Sequence, residues 1–271
     1  MRSGEIKNED GVSEAIGFII IFGLVMTGIA LITLYGYPML LQQQSNADVR
    51  NMEQTAVVLQ NDIKSLCYKN VPYKETSLQV GGGVLAVENR TETGERFNIS
   101  IFRSGETINE SATDLIHRKE YSPFSPGAFV YSADSQDATI AIENGAVIRA
   151  QAGGSSMLAE PRWYIDEQEN KKTFVINLVA LNTSGPMARS GMGNVRMKLE
   201  SSAPPLILDL PDGETVKVTY PTDKTEGLSF SKAWENYLTG TLGMAKGGNS
   251  YTLENVNKLI VKKYEIQVLG I

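Results

Sequence analysis

Apolar residues gather in one unbroken block near the N-terminus, and beyond it they recur first at helical and then at strand spacing. From Ala15 to Leu41 the chain reads AIGFIIIFGLVMTGIALITLYGYPMLL, without a charged residue. At 1.5 Å rise per residue, a helix of this length spans roughly 40 Å, more than the ~30 Å hydrocarbon core of a bilayer. Tyr35 and Tyr37 stand near the end of the block, where aromatic rings favour the headgroup layer, and Pro38 sits where a kink costs little. A cleaved secretory signal has a shorter apolar run followed closely by small residues. Here the first such pair, Ser45 and Ala47, comes only after a stretch of glutamines. The block therefore predicts a transmembrane helix over about 15–41. Arg2 and Lys7 precede it, while Arg50 is the one basic residue soon after it, which favours a cytoplasmic N-terminus and an extracellular remainder.

Between Leu41 and Pro72 there is neither Gly nor Pro, and Val49, Met52, Ala56, Leu59, Ile63 and Leu66 recur at alternating spacings of three and four. This is the single apolar stripe of an amphipathic helix. The stripe has two uses, packing on the protein's own C-terminal region or forming a coiled-coil-like seam between subunits, and both can hold along different faces. Helix from Val12 to about Cys67 would extend roughly 80 Å. Cys67 reads as a small buried residue at its end.

From about residue 72 the pattern changes to period two, broken by Gly, Pro, Asn and Asp, as in antiparallel sheet. Strands are expected at 84–87, 97–102, 128–131, 138–142, 146–149, 163–165, 173–181, 195–199, 206–210, 216–220 and 259–268. Glu143-Asn144-Gly145 predicts a hairpin, Pro211-Asp212-Gly213 a turn between two strands, and 230–238 a short helix. The fold class is α+β, with a long N-terminal helix, transmembrane and then amphipathic, followed by a β-rich, sandwich-like head. The chain divides into 1–11, a polar leader; 12–70, the long helix; and 71–271, the head.

Composition narrows the chemistry. Lys+Arg 25 against Asp+Glu 31 gives a net charge of −6, without the basic footprint of a nucleic-acid binder. One Cys and one His exclude an internal disulfide framework and a thiolate-rich zinc site. His117 has no second imidazole or thiol cluster nearby and reads as a surface residue. Ser229-x-x-Lys232 lacks the companion motifs of penicillin-binding enzymes. Gly81-Gly82-Gly83 and Gly191-Met192-Gly193 lack phosphate-loop chemistry and read as turns or flexible joints. Asp134 with Asp137, and Asp209 with Asp212, lack the dense alternating carboxylates of a calcium loop. No cofactor, metal site or catalytic constellation is expected, and the chain reads as non-enzymatic.

The string Asp10-Gly11-Val12-Ser13-Glu14-Ala15-Ile16-Gly17-Phe18, running directly into the apolar block, resembles the N-terminus of archaeal type IV pilin-like precursors with a class III, prepilin-type signal peptide. Leu34-Tyr35-Gly36-Tyr37-Pro38 also resembles a stretch found in long archaeal surface proteins with this leader. The resemblance covers about residues 9–45. It implies a prepilin peptidase as partner, cutting after Gly11 so that Val12 becomes the first mature residue. It departs in having Asp10 where Lys or Arg is common. Glu14 would then lie close to the new amine, to pair with a neighbouring subunit or to remain solvated at the membrane edge.

Four N-x-S/T sequons, at Asn89, Asn98, Asn109 and Asn182, fall in the expected external head and are candidate N-glycosylation sites. Asn98, within an expected strand, is the least accessible of them. The sequence expectation is a cell-surface glycoprotein subunit, structural or adhesive, of a type IV pilus-like filament, a homo-oligomer or one of several pilin subunits joined through the apolar helix. The alternative is a single-pass anchored surface protein whose β head binds a ligand or envelope partner without polymerising. A membrane-tethered hydrolase is a third class, which needs a nucleophile and base constellation; for imidazole catalysis the chain has only His117, and carboxylate chemistry stays open.

Overall fold

The computed structural model describes residues 9–69, 71–93, 97–103, 106–107, 123–134, 137–169, 171–220 and 230–271. His117, Asn109 and Ser229 lie outside them. The chain divides into two compact units, Met1–Ala47 and Asp48–Ile271. The boundary lies inside the second helix, so residues 48–68 belong with the strands, whereas the sequence division at residue 70 follows secondary structure.

The first unit is helical. α1 (Glu9–Leu31) runs into a π-helical turn at Ile32–Gly36 and then into α2 (Tyr37–Tyr68). Pro38 explains the wide turn: it has no N–H to donate, and its ring would collide with the carbonyl four residues earlier in a regular helix. The Tyr37 N–H instead donates to the Ile32 carbonyl.

The second unit contains α2 from Asp48 onward and, among the described residues, thirteen strands. β1 (Tyr73–Glu88), β2 (Asn98–Arg103), β3 (Glu106–Thr107), β4 (Ala128–Ala133), β5 (Ala138–Glu143), β6 (Ala146–Gln151) and β7 (Gly154–Ala159) form the first group. A one-turn helix, α3 (Arg90–Thr93), lies between β1 and β2. β8 (Tyr164–Gln168), β9 (Lys171–Thr183), β10 (Met187–Ser202) and β11 (Leu206–Thr219) follow. After α4 (Ser231–Asn236) and a second π turn (Tyr237–Thr241) come β12 (Ala245–Gly247) and β13 (Ser250–Gly270).

β13 organises the sheet. Along one edge it pairs antiparallel with β10 at residues 264–270 and with β11 at 250–261. These partners are one line of chain interrupted at Ala203-Pro204-Pro205, where the Ala203 N–H still donates to the Lys263 carbonyl at 3.1 Å. The two prolines cannot extend the ladder, and the sheet forks there: β10 leads to β1, β4, β5, β6 and β7, and β11 to β2 and β3. Along its other edge β13 pairs with β12 and, in parallel, with β9. This parallel pair departs from the antiparallel expectation, because period-two alternation does not encode strand direction.

Two other expectations meet the structure differently. Pro211-Asp212-Gly213 is not a turn between strands: both flanking segments belong to β11 and pair with β13, and the extra residues form a bulge with Gly213 at φ +72°. Gly81-Gly82-Gly83 is likewise a bulge within β1, with Gly82 at φ +57°. A side chain on Gly81 would strike the Asp48 carboxylate, and one on Gly83 the Tyr131 ring. The hairpin at Asn144-Gly145 matches its prediction, with both residues at positive φ between β5 and β6.

Two cores result. α2 lays Val49, Met52, Ala56, Leu59, Ile63 and Leu66 against Leu85, Phe129, Ile140, Val147, Met197 and Val268 of the sheet, and each stripe residue is buried. The stripe thus packs on the protein's own head. The second core joins Ile99, Val216 and Val218 on one side to Ala141, Ile148 and Phe174 on the other, and Trp234 of α4 closes it. Here Phe97, Trp163, Tyr220 and Tyr237 surround Trp234 at centroid distances of 4.8–6.0 Å.

Ile63→Ala is expected to cost about 2–5 kcal/mol of stability, and Val58→Ala, on the exposed side of the same helix, less than about 0.5 kcal/mol. Chemical denaturation of the two variants measures the difference. A second expectation concerns Glu265, which accepts from Arg90 at 2.8 Å, Lys263 at 2.9 Å and Ser201 at 3.0 Å. Burial raises its pKa, but Lys263, Ser201 and Arg90 outweigh burial and hold it below the usual carboxylate range. A depressed carboxyl contributes stability above its unfolded pKa, about 4.3, and loses it as the pH falls through the folded value. Glu265→Gln should therefore be less stable near neutrality and lose less stability on acidification toward about pH 3. Denaturation midpoints across that range test this, and equal acid sensitivity of the two proteins would contradict it.

Candidate functional site

The first candidate is the apolar helix. Between Ile16 and Leu41 large hydrophobic side chains are exposed on every side, among them Phe18 (69%), Leu24 (72%) and Leu34 (66%). A helix that is hydrophobic all round belongs in a core or a bilayer. Its hydroxyls suit an apolar surrounding: Thr27 donates to the Gly23 carbonyl at 2.7 Å and Thr33 to the Ile29 carbonyl at 2.8 Å. The helix is long and apolar enough to cross a membrane, which makes it a candidate membrane anchor. Gly11, Val12 and Glu14 fall in the first turns of α1.

The second candidate is a pocket in the head, at the fork of the sheet. A cavity of about 410 Å³ opens between the end of α2, β8 and the break at Ala203–Pro205. Parallel register sets Asn177 of β9 beside Lys262 of β13. Alternation along β13 then turns Lys262 and Tyr264 toward the pocket, while the intervening Lys263 reaches Glu265 instead. Arg162 lies over the Tyr68 ring at 4.6 Å, and Tyr68 packs edge-on against Tyr264 at 5.3 Å. The Asn177 side chain donates to the Arg162 carbonyl, and the Trp163 indole donates to the Asn177 carbonyl at 2.7 Å, which fixes this wall to the aromatic core.

Electrostatically the pocket is one-sided. No described lining residue is acidic, and among the described residues Lys64, Arg162 and Lys262 have no ion-pair partner. Burial, and after it the Arg162 charge, hold the Lys64 ammonium below the usual lysine range. Burial pushes the Cys67 thiol up to about 12 and raises the Tyr68 and Tyr264 phenols, so all three stay neutral at physiological pH.

A buried carboxylate, Glu143, could be mistaken for a third site. Its Oε1 accepts from the Tyr220 hydroxyl at 2.9 Å and the Trp234 indole at 2.8 Å, so it ties α4 to β5. The sequence gives no sign of this, because Glu143 begins a polar turn. Lys232 of the S-x-x-K string pairs with Glu235 at 3.0 Å, and Asp209 pairs with Lys258 at 3.2 Å. Among the described residues no three His, Cys, Asp or Glu side chains gather as a metal site.

The sequons scatter. Asn98 begins β2 and is exposed, contrary to the expectation that a strand position would hide it. Residues alternate faces along a strand, and Ile99 takes the buried one. Asn89 donates to the Thr183 carbonyl at 2.9 Å, and Asn182 to Glu200 at 3.4 Å. By solvent exposure, Asn98 is exposed while Asn89 and Asn182 are half-buried.

No curated protein and no solved structure matches the chain. Residues 11–268 match DUF7289, a family of unknown function, and the match takes in both the apolar helix and nearly all of the head. On that match the chain belongs to the DUF7289 family.

Proposed function

We propose that this chain is a non-enzymatic cell-surface subunit of an archaeal type IV pilus-like filament, minor or specialised, assembled through its N-terminal helix. The observation that carries the reading is the all-round apolar exposure of residues 16–41 directly behind the Gly11-Val12-Ser13-Glu14 string. A prepilin peptidase cuts after Gly11. The helix leaves the bilayer only when neighbouring helices replace the lipid, each square ångström of apolar surface kept from solvent contributing about 25 cal/mol. Glu14 pairs with the Val12 amine of an adjacent subunit. The head faces outward, with Asn98 the preferred glycosylation site and Asn89, Asn109 and Asn182 the others.

The ligand-sized pocket favours a second reading, a single-pass anchored receptor that never polymerises. In that case residues 1–11 stay attached and no filament forms.

N-terminal sequencing with intact mass on protein from the native envelope is expected to give a start at Val12 and added glycan mass. Electron microscopy of the sheared surface fraction is expected to show filaments containing the chain. A retained Met1 or Arg2 start would overturn the processed-subunit reading in favour of the anchored receptor.

A further inference from the structure

The pocket at the sheet fork combines three features that point to one kind of ligand. First, positive charge converges there in a protein of net charge −6: Arg162 and Lys262 line the cavity and have no acidic partner among the described residues. Arg162 has its guanidinium carbon 4.6 Å above the Tyr68 ring centroid, a contact that positions a fork of donors suited to a carboxylate. Second, an aromatic face is open. Tyr68 is covered by Arg162 and Tyr264, but Tyr164 is 44% exposed at the rim. Third, the hydroxyls of Tyr68, Tyr164, Tyr264 and Ser202 have no protein hydrogen-bond partner among the described residues. A purely aromatic acid would use the charges and the ring but not these hydroxyls. A free anion would use the charges alone. A sugar ring bearing a carboxylate uses all three, with its C–H face on Tyr164, its hydroxyls on the phenols and Ser202, and its acid on Arg162 and Lys262. The volume of about 410 Å³ is in the range of small-molecule sites.

We infer that this pocket binds an acidic sugar, a uronate-type residue of an external polysaccharide or glycan. The site lies wholly within the Asp48–Ile271 unit and does not depend on leader cleavage or polymerisation.

The test is calorimetric titration of the full chain in detergent with sodium glucuronate, alongside glucose, acetate and benzoate at constant ionic strength. Glucuronate is expected to bind saturably, with each control at least about tenfold weaker, since each lacks the acid, the ring or the hydroxyls. Lys262→Gln and Arg162→Gln should each weaken glucuronate about tenfold, as expected for a lost charged hydrogen bond. Arg162 also packs on Tyr68, so Lys262→Gln is the variant that keeps the fold, checked by an unchanged melting temperature. Absence of saturable glucuronate binding, equal binding of acetate or benzoate, or unchanged affinity in Lys262→Gln would each overturn the inference.

Discussion

The head depends on a wall that is dry on both sides. β5 is buried at every position, β6 at all but two, and β9 through eight consecutive residues from Phe174. Such strands need apolar cover twice over. On one face Ile140, Ile142 and Val147 meet the stripe of α2; on the other Ala141, Ile148 and Phe174 meet the aromatic core behind α4. The amphipathic part of the helix is therefore a layer of the head, and its loss would leave one whole sheet face open to water.

The same wall explains what could be read in advance and what could not. The stripe was legible because six residues at helical spacing have a single use in water, burial, and the Asn144-Gly145 turn was legible because both residues tolerate positive φ. The strand positions were broadly legible, but β3, β7, β12, the first parts of β1 and β10 and the start of β13 were not: the small and polar residues of Gly154–Ala159, for one, carry little alternation. Pro211-Asp212-Gly213 has a turn's composition, yet β13 pairs with the chain on both sides of it and makes it a bulge. Pairing partners lie far off in the sequence, and local chemistry does not specify them.

The candidate sites divide along the same line. The apolar helix is written in one contiguous block, so length and composition identify it. The pocket is assembled from Tyr68, Arg162, Asn177 and Tyr264, four segments brought together by the parallel register of β9 on β13 and by the break at Pro204-Pro205. No local motif marks it, and Lys262 and Lys263 look equivalent until the pleat sends one to the cavity and the other to Glu265.

The position of β13 bears on how the head comes together in time. Residues 250–270 supply the pairing edges for β9, β10, β11 and β12, and three of those strands are made earlier in the chain than α4. Until β13 is present, neither branch of the fork has its common spine, and contacts such as Arg90 with Glu265 span 175 residues. Assembly by such distant pairings is slow relative to local helix formation. The β4–β7 meander pairs locally, but the two branches of the fork gain their common edge only once this last strand has been made.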